Sequence, residues 1–166
     1  MDGGEDFALR EGKMSIRIIQ GDCIKELRKL PEKSVHCCVT SPPYWGLRDY
    51  GVQGQIGLES TPAEYVEKMV AVFHEVRRGL RDDGTLWLNL GDSYAGSSMS
   101  GGGKESSTLV GTHHEDREGA RFSSPPRATD LPAKNLIGIP WRVAFALQAD
   151  GWYLRQDIIW AKPNPM

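Results

Sequence analysis

The sequence is short of cysteine, of net charge and of long apolar runs, and each shortage closes off a class of protein. Its three cysteines, Cys23, Cys37 and Cys38, are odd in number and two are adjacent. That arrangement makes no disulfide framework and has no metal-ligand spacing, so no metal is expected and a reducing cytoplasm fits. The formal net charge is -2, which leaves no global basic field of the kind that non-specific phosphate binding requires. No apolar run is long enough to span a membrane. Met1 to Lys13 is polar and lacks the apolar stretch of a signal peptide. No internal repeat stands out. What is present is 166 residues, 39% hydrophobic and 25% charged, the composition of one soluble domain with a real core.

The patterning begins at about residue 15, after an N-terminal tail over residues 1–14. Ser15 to Gln20 alternates around Ile16 and Ile18, as a strand does, and stops at Gly21-Asp22. Ile24, Leu27 and Leu30 follow at helical spacing up to Pro31. Val35 to Val39 reads as a short strand buried on both faces, and Ser41-Pro42-Pro43-Tyr44 forces the chain out of the sheet. Beyond a Gly-rich loop (Gly46 to Gly57), Thr61-Pro62-Ala63-Glu64 is a capping box with proline at the first helical position. The stripe Tyr65, Val66, Met69, Val70, Phe73, Val76 and Leu80 then predicts an amphipathic helix over Thr61–Leu80. Asp82-Asp83-Gly84 reads as a turn, and Thr85 to Leu90 as a strand ending at Gly91-Asp92. Residues 95–134 are rich in Gly and Ser and lack apolar periodicity, which predicts a flexible insert. A helix from Pro140 to Ala149, with Val143, Ala144 and Leu147 inward, and a strand from Trp152 to Trp160 complete the pattern. Alternating strands and helices predict an α/β fold with a mostly parallel sheet of four strands, whose ligands sit at the carboxyl ends of the strands.

Ser41-Pro42-Pro43-Tyr44 resembles the catalytic motif of amino-methyltransferases, written as Asp, Asn or Ser followed by Pro-Pro and an aromatic, and the chemistry this resemblance implies accounts for its residues. An exocyclic amine on cytosine or adenine is a poor nucleophile, because its lone pair is delocalised into the ring. Two acceptors beside the amino hydrogens favour a pyramidal nitrogen and take up developing positive charge. The Ser41 hydroxyl and the Pro42 carbonyl are the candidates, consecutive prolines stiffen the loop that presents them, and Tyr44 offers a ring on which an extruded base stacks. The plain alternatives are a polyproline ligand for the Pro-Pro-Tyr run, packing for Cys37 and Cys38, and a helix cap for Asp22. Asp92 reads as a strand-end turn or as part of the site's rim. No function attaches to His36, nor to His113-His114 in the insert.

The run Thr40-Ser-Pro-Pro-Tyr-Trp-Gly-Leu-Arg-Asp-Tyr-Gly51 resembles the bacterial and phage N4-cytosine/N6-adenine DNA methyltransferases. So do Leu86-Trp-Leu-Asn-Leu-Gly-Asp-Ser-Tyr94, Ile139-Pro-Trp-Arg-Val-Ala-Phe-Ala-Leu147 and Gly151-Trp-Tyr-Leu-Arg155 with Ile158-Ile-Trp160. The resemblance covers the chain from about Ile18 onward, apart from the insert. It implies a Rossmann-like S-adenosyl-L-methionine-dependent methyltransferase sheet, here incomplete, with residues 15–166 as a partial catalytic domain. It also implies Ser41, Pro42, Pro43 and Tyr44 as catalytic residues, and Asp22 and Ser41 as contacts of the cofactor. The implied substrate is double-stranded DNA with its target base flipped out. Serine before Pro-Pro-Tyr is commoner among the cytosine-N4 enzymes, so N4 of cytosine is favoured over N6 of adenine. Methylation of protein glutamine or RNA goes instead with asparagine at that position.

The resemblance further implies a permuted order in which the catalytic half comes first. The target-recognition region and a cofactor-binding Phe-x-Gly-x-Gly segment follow later. Nothing in this chain matches that segment; Gly101-Gly-Gly103 follows no predicted strand and opens no helix. The expectation is therefore a truncated product or split gene that dimerises or needs its missing C-terminal half. The alternative is a catalytically incomplete remnant or complementation subunit that binds DNA or a partner without turnover.

Overall fold

In the computed structural model, which describes residues 6–8, 15–95, 131–161 and 163, short strands and helices alternate through the first ninety residues. The elements are β1 (Asp6–Ala8), β2 (Ser15–Arg17), α1 (Cys23–Lys29), β3 (Val35–Thr40), α2 (Pro62–Gly79), β4 (Leu80–Leu88) and α3 (Ile139–Ala149). The chain divides into two compact units, Met1–Cys38 with Ala71–Leu86, and Val39–Val70 with Trp87–Met166.

In the first unit β1 and β2 pair antiparallel, with Asp6 opposite Arg17 and Ala8 opposite Ser15. The segment expected to be a tail thus contains a strand. The strand expected to join the parallel sheet pairs locally instead, because a partner a few residues away closes a short loop at little entropic cost. Asp22 caps α1, its Oδ1 accepting from the Lys25 N–H at 3.0 Å. At the other end of α1 the Arg78 guanidinium donates to the Leu27 carbonyl at 2.8 Å and to the Leu30 carbonyl at 3.1 Å. The Leu27 carbonyl also accepts from the Leu30 N–H at 3.0 Å and Leu30 is the residue just past the helix, so Arg78 adds to the cap of a terminus whose last carbonyls lack partners within the helix. Arg78 and Arg28 both hold the Glu75 carboxylate at 3.0 Å.

β3 and β4 form a two-stranded sheet joined through α2. The Ser34 N–H donates to the Gly79 carbonyl before the strands, and the Asn89 N–H donates to the Thr40 carbonyl after them. Start meets start and end meets end, so the pair is parallel. β4 has nine residues against six in β3 and runs straight through the Asp82-Asp83-Gly84 expected to be a turn. Lys33 pairs with Asp82 and Arg81 with Asp83, each at 2.9 Å, so both carboxylates are matched within the strand. A side chain at Gly84 would stand 2.9 Å from the Arg81 carbonyl and 3.2 Å from that of His36, a close approach that glycine permits.

α2 buries Tyr65, Met69, Phe73 and Val76, and Leu80 beyond it, the stripe its spacing predicts. Its capping box forms at the predicted residues in one direction, Thr61 Oγ1 accepting from the Glu64 N–H with Pro62 first in the helix, while the reciprocal bond is displaced by one residue, the Glu64 carboxylate accepting from the Ser60 N–H. α3 buries Ile139, Val143 and Leu147 at four-residue intervals, while Trp141 and Phe145 stack on its outer face with centroids 6.0 Å apart. Two expectations are corrected here. β3 is not buried on both faces: Val39 is 77% exposed and Cys37 lies on the surface, as a sheet of two strands leaves it. Residues 152–160 form no strand, having no ladder partner among the described residues; Tyr153, Ile159 and Trp160 are all more than four-fifths exposed.

Of the predicted insert, residues 96–130 lie outside the described residues. Its two ends are joined. The Ala95 N–H donates to Asn135 at 2.7 Å and the Lys134 N–H to Ala95 at 2.8 Å, the Ile137 N–H donates to Ser93 at 2.9 Å, and Tyr94 bridges Leu136 in antiparallel sense. Ala95 is buried and so belongs to the framework.

Candidate functional site

Ser41-Pro42-Pro43-Tyr44 leaves the carboxyl end of β3, where two prolines without N–H groups end the ladder. Ser41 is exposed and the next three residues are half-buried. Ser41 Oγ stands 3.3 Å from the Tyr44 hydroxyl. The Tyr44 ring lies on the backbone of Gly91 so closely that a Cβ there would fall 2.8 Å from ring atoms Cδ2 and Cε2. Gly57, with φ at +104°, approaches from another side; a Cβ on it would meet the Tyr44 carbonyl at 2.9 Å and Pro43 Cβ at 3.3 Å.

The segment is held by residues that the sequence reading did not single out for the site. Trp45 is completely buried, and its indole N–H donates to the Glu59 carbonyl at 3.0 Å. The Glu59 side chain, 1% exposed, accepts from the Gly57 N–H at 2.9 Å through Oε2. Lys68 Nζ stands 2.9 Å from its Oε1 as an ion pair without hydrogen-bond geometry. The Gly46 N–H donates to the Gly57 carbonyl at 2.7 Å. Gln55 ties the intervening loop, accepting from the Tyr50 N–H and donating to the Arg48 carbonyl. The Tyr65 hydroxyl donates to the Pro43 carbonyl at 2.9 Å. Burial pushes the Tyr65 phenol well above its usual pKa, and the charges of Glu59 and Tyr44 add to the effect. A buried glutamate just ahead of a capping box gives no sequence signal of its own, so Glu59 was not legible.

Asp92 is neither a plain turn nor unpartnered. Its carboxylate accepts from the N–H groups of Gly138 and Ile139 at 3.0 Å, capping α3 from outside the helix. Ser93 Oγ donates to the Trp45 carbonyl at 3.3 Å. Gly91-Asp92-Ser93 therefore supports the Tyr44 ring, the start of α3 and the backbone after the motif. Asp22 lies in the other unit, where it caps α1. Burial raises the Cys38 thiol pKa, and the neighbouring Cys37 adds to it, so Cys38 is not activated as a thiolate nucleophile. A cavity of about 720 Å³ is lined by Gln148, Gly151, Trp152, Tyr153, Leu154 and Arg155 and includes none of the predicted site residues. Among the described residues no helix is long and apolar enough to cross a membrane.

The architecture is that of an α/β protein with a polar, proline-stiffened site where a parallel strand ends. The family profile described as DNA methylase matches residues 35–166. The type II methyltransferase M.XycI of Xanthomonas campestris pv. cyanopsidis is 50% identical, covering 98% of this chain and 53% of its own length. M.Cfr9I of Citrobacter freundii is 49% identical, covering 90% of this chain and 47% of its own length. M.SmaI of Serratia marcescens is also 49% identical, covering 94% and 51%. No solved structure matches. The chain belongs to the N6/N4 DNA methylase family, and it spans about half the length of these relatives.

Proposed function

We propose that the protein transfers a methyl group from S-adenosyl-L-methionine to an exocyclic amine of a DNA base, N4 of cytosine in preference to N6 of adenine. The observation that carries this reading is the placement of Ser41-Pro42-Pro43-Tyr44 at the carboxyl end of a parallel strand in a chain of this family. The donor set suits the acceptor side of the reaction. With its proton directed to the Tyr44 hydroxyl, Ser41 Oγ turns its lone pairs outward to accept from the amine. The Pro42 carbonyl is the second acceptor. One side of the Tyr44 ring rests on Gly91, and the other receives a base extruded from double-stranded DNA. Bound S-adenosyl-L-methionine supplies the electrophilic methyl. Asp22 and Ser41 are the residues of this chain that contact it in our reading; both are exposed at the ends of patterned segments, and the cavity near Trp152 is not assigned to it. The fold of the whole protein is Rossmann-like and its setting cytoplasmic, in a bacterial or phage system of restriction and modification, consistent with the type II naming of the relatives.

A second reading has an observation in its favour. Val39, Trp87, Ile158, Ile159 and Trp160 are all more than half exposed, more apolar surface than a self-sufficient domain shows, and the relatives are about twice as long. On this reading the chain acts with a further half or a second copy, or binds DNA without turnover. One experiment separates the readings. The full-length protein is incubated with DNA and labelled cofactor, the DNA is digested, and the nucleosides are separated. Label in N4-methylcytosine is expected, and it should be reduced at least about tenfold by Ser41→Ala, on the scale of a lost transition-state hydrogen bond. Label in N6-methyladenine alone overturns the base assignment, label in 5-methylcytosine overturns the chemistry, no label in any nucleoside supports binding without turnover, and label from the full-length protein but none from the 166-residue chain supports action with a further half.

A further inference from the structure

We propose that Tyr65 is a positioning residue for methyl transfer: through its hydrogen bond to the Pro43 carbonyl it fixes the peptide that aims Ser41, the Pro42 carbonyl and Tyr44. The inference rests on the reading of Ser41–Tyr44 as the reacting segment.

The two prolines remove the N–H groups through which a loop ordinarily anchors itself. What remains for this loop is its carbonyls, and that of Pro43 is taken by a hydroxyl on α2, 2.9 Å away. Tyr65 has no exposed surface and sits one turn into α2, its N–H bonded to the Thr61 carbonyl at 3.2 Å. Thr61 in turn caps the helix. The donor is therefore mounted on a rigid element, the condition for aiming reacting groups. Gly57 also approaches this peptide, a Cβ on it meeting the Tyr44 carbonyl at 2.9 Å, and its own position is set by the Gly46 N–H and by the Glu59 carboxylate. Pro43 and Tyr44 are thus held by both α2 and the Gly57 backbone. Loss of the hydroxyl removes one of these holds while leaving the aromatic ring to fill the core. Burial raises the phenol's pKa above its ordinary value, so the hydroxyl stays protonated and donates through the neutral range.

The variant is Tyr65→Phe, which removes one oxygen. In the 166-residue chain the amides of Gly46 and Gly57 should exchange with solvent roughly three- to tenfold faster, the factor set by one net hydrogen bond. The Arg142 and Asp150 amides of the α3 region serve as the control and should be unchanged. In the full-length protein kcat should fall about tenfold or more, since a misaimed reacting group costs up to about 10²-fold. KM for DNA and for S-adenosyl-L-methionine should stay within about twofold, and the kcat defect should be constant from about pH 6 to 9, below the ordinary tyrosine pKa. Unchanged exchange at Gly46 and Gly57, or unchanged kcat, overturns the proposal. Faster exchange in α3 as well overturns it too, because the hydroxyl would then be a general stability contact. If the unaltered full-length protein transfers no methyl group, the functional reading fails by itself, and the exchange measurement still decides whether Tyr65 grips the loop.

Discussion

Gly91→Ala tests how closely the Tyr44 ring depends on the backbone beneath it. The added Cβ would fall 2.8 Å from Cδ2 and Cε2 of the ring. Non-bonded carbons rest at about 3.5–4.0 Å, so the ring has to retreat by about 0.7–1.2 Å. Gly91 is not among the glycines with positive φ, so alanine brings no backbone strain and the clash acts alone. Overpacking costs about 1–3 kcal/mol. Tyr44 is half-buried and can move outward, so the loss of stability should lie near the lower end, about 1 kcal/mol. The rate should suffer more, since a displacement of about 1 Å in a group that orients substrate costs on the order of 10²-fold. Urea unfolding of the chain gives the first quantity, and single-turnover methyl transfer by the full-length protein gives the second. A variant with wild-type stability and a rate within about twofold of wild type would refute the argument, because Tyr44 would then have neither the contact nor the role.

Two further outcomes follow from the framework. Asp92→Ala removes the carboxylate that accepts from Gly138 and Ile139, and should cost about 1 kcal/mol in urea unfolding, the usual value of a helix cap; Asp92→Asn should recover part of it. Hydrogen bonds from Arg78 and then Arg28 hold the Glu75 carboxyl below its ordinary pKa. The contribution of this group is therefore complete above the unfolded-state value of about 4.3 and is lost as pH falls through the lower folded-state value. A series of unfolding curves in acid should show this loss, and Glu75→Gln should remove that part of the pH dependence.

Where a local rule met no competing contact, the sequence was a sufficient guide. α2 was legible because Thr61, Pro62 and Glu64 mark its start and the apolar stripe repeats over eighteen residues. Asp22 as the cap of α1 and the exit of the chain at Pro42-Pro43 were legible for the same reason. The failures are tertiary. Asp82-Asp83-Gly84 carries the chemistry of a turn, but Lys33 and Arg81 match the two carboxylates and the segment stays in β4. Trp152 to Trp160 has strand-like residues, yet a strand is defined by its partner, and the pattern says nothing about whether one is at hand. Within the site, the motif was visible from its prolines. Its supports were not, because Tyr65 reads as one more core residue of a helix, and Glu59 and Gly91 act through contacts that no spacing encodes. The roles of Asp22 and Ser41 toward a cofactor rest on resemblance.

The pairing of Ser93–Ala95 with Lys134–Ile137 has a consequence for how this chain can be altered. Since both strands of the junction are already hydrogen-bonded side by side, with the Ala95 nitrogen 2.7 Å from the Asn135 oxygen, a connection of a few residues reaches from one to the other as well as a long one does, and lengthening it adds entropy only logarithmically. The neck is thus closed by its own hydrogen bonds. A tight turn joining Ala95 to residue 131 should leave Asp92, one residue before the neck, capping α3 and Gly91 seating the tyrosine.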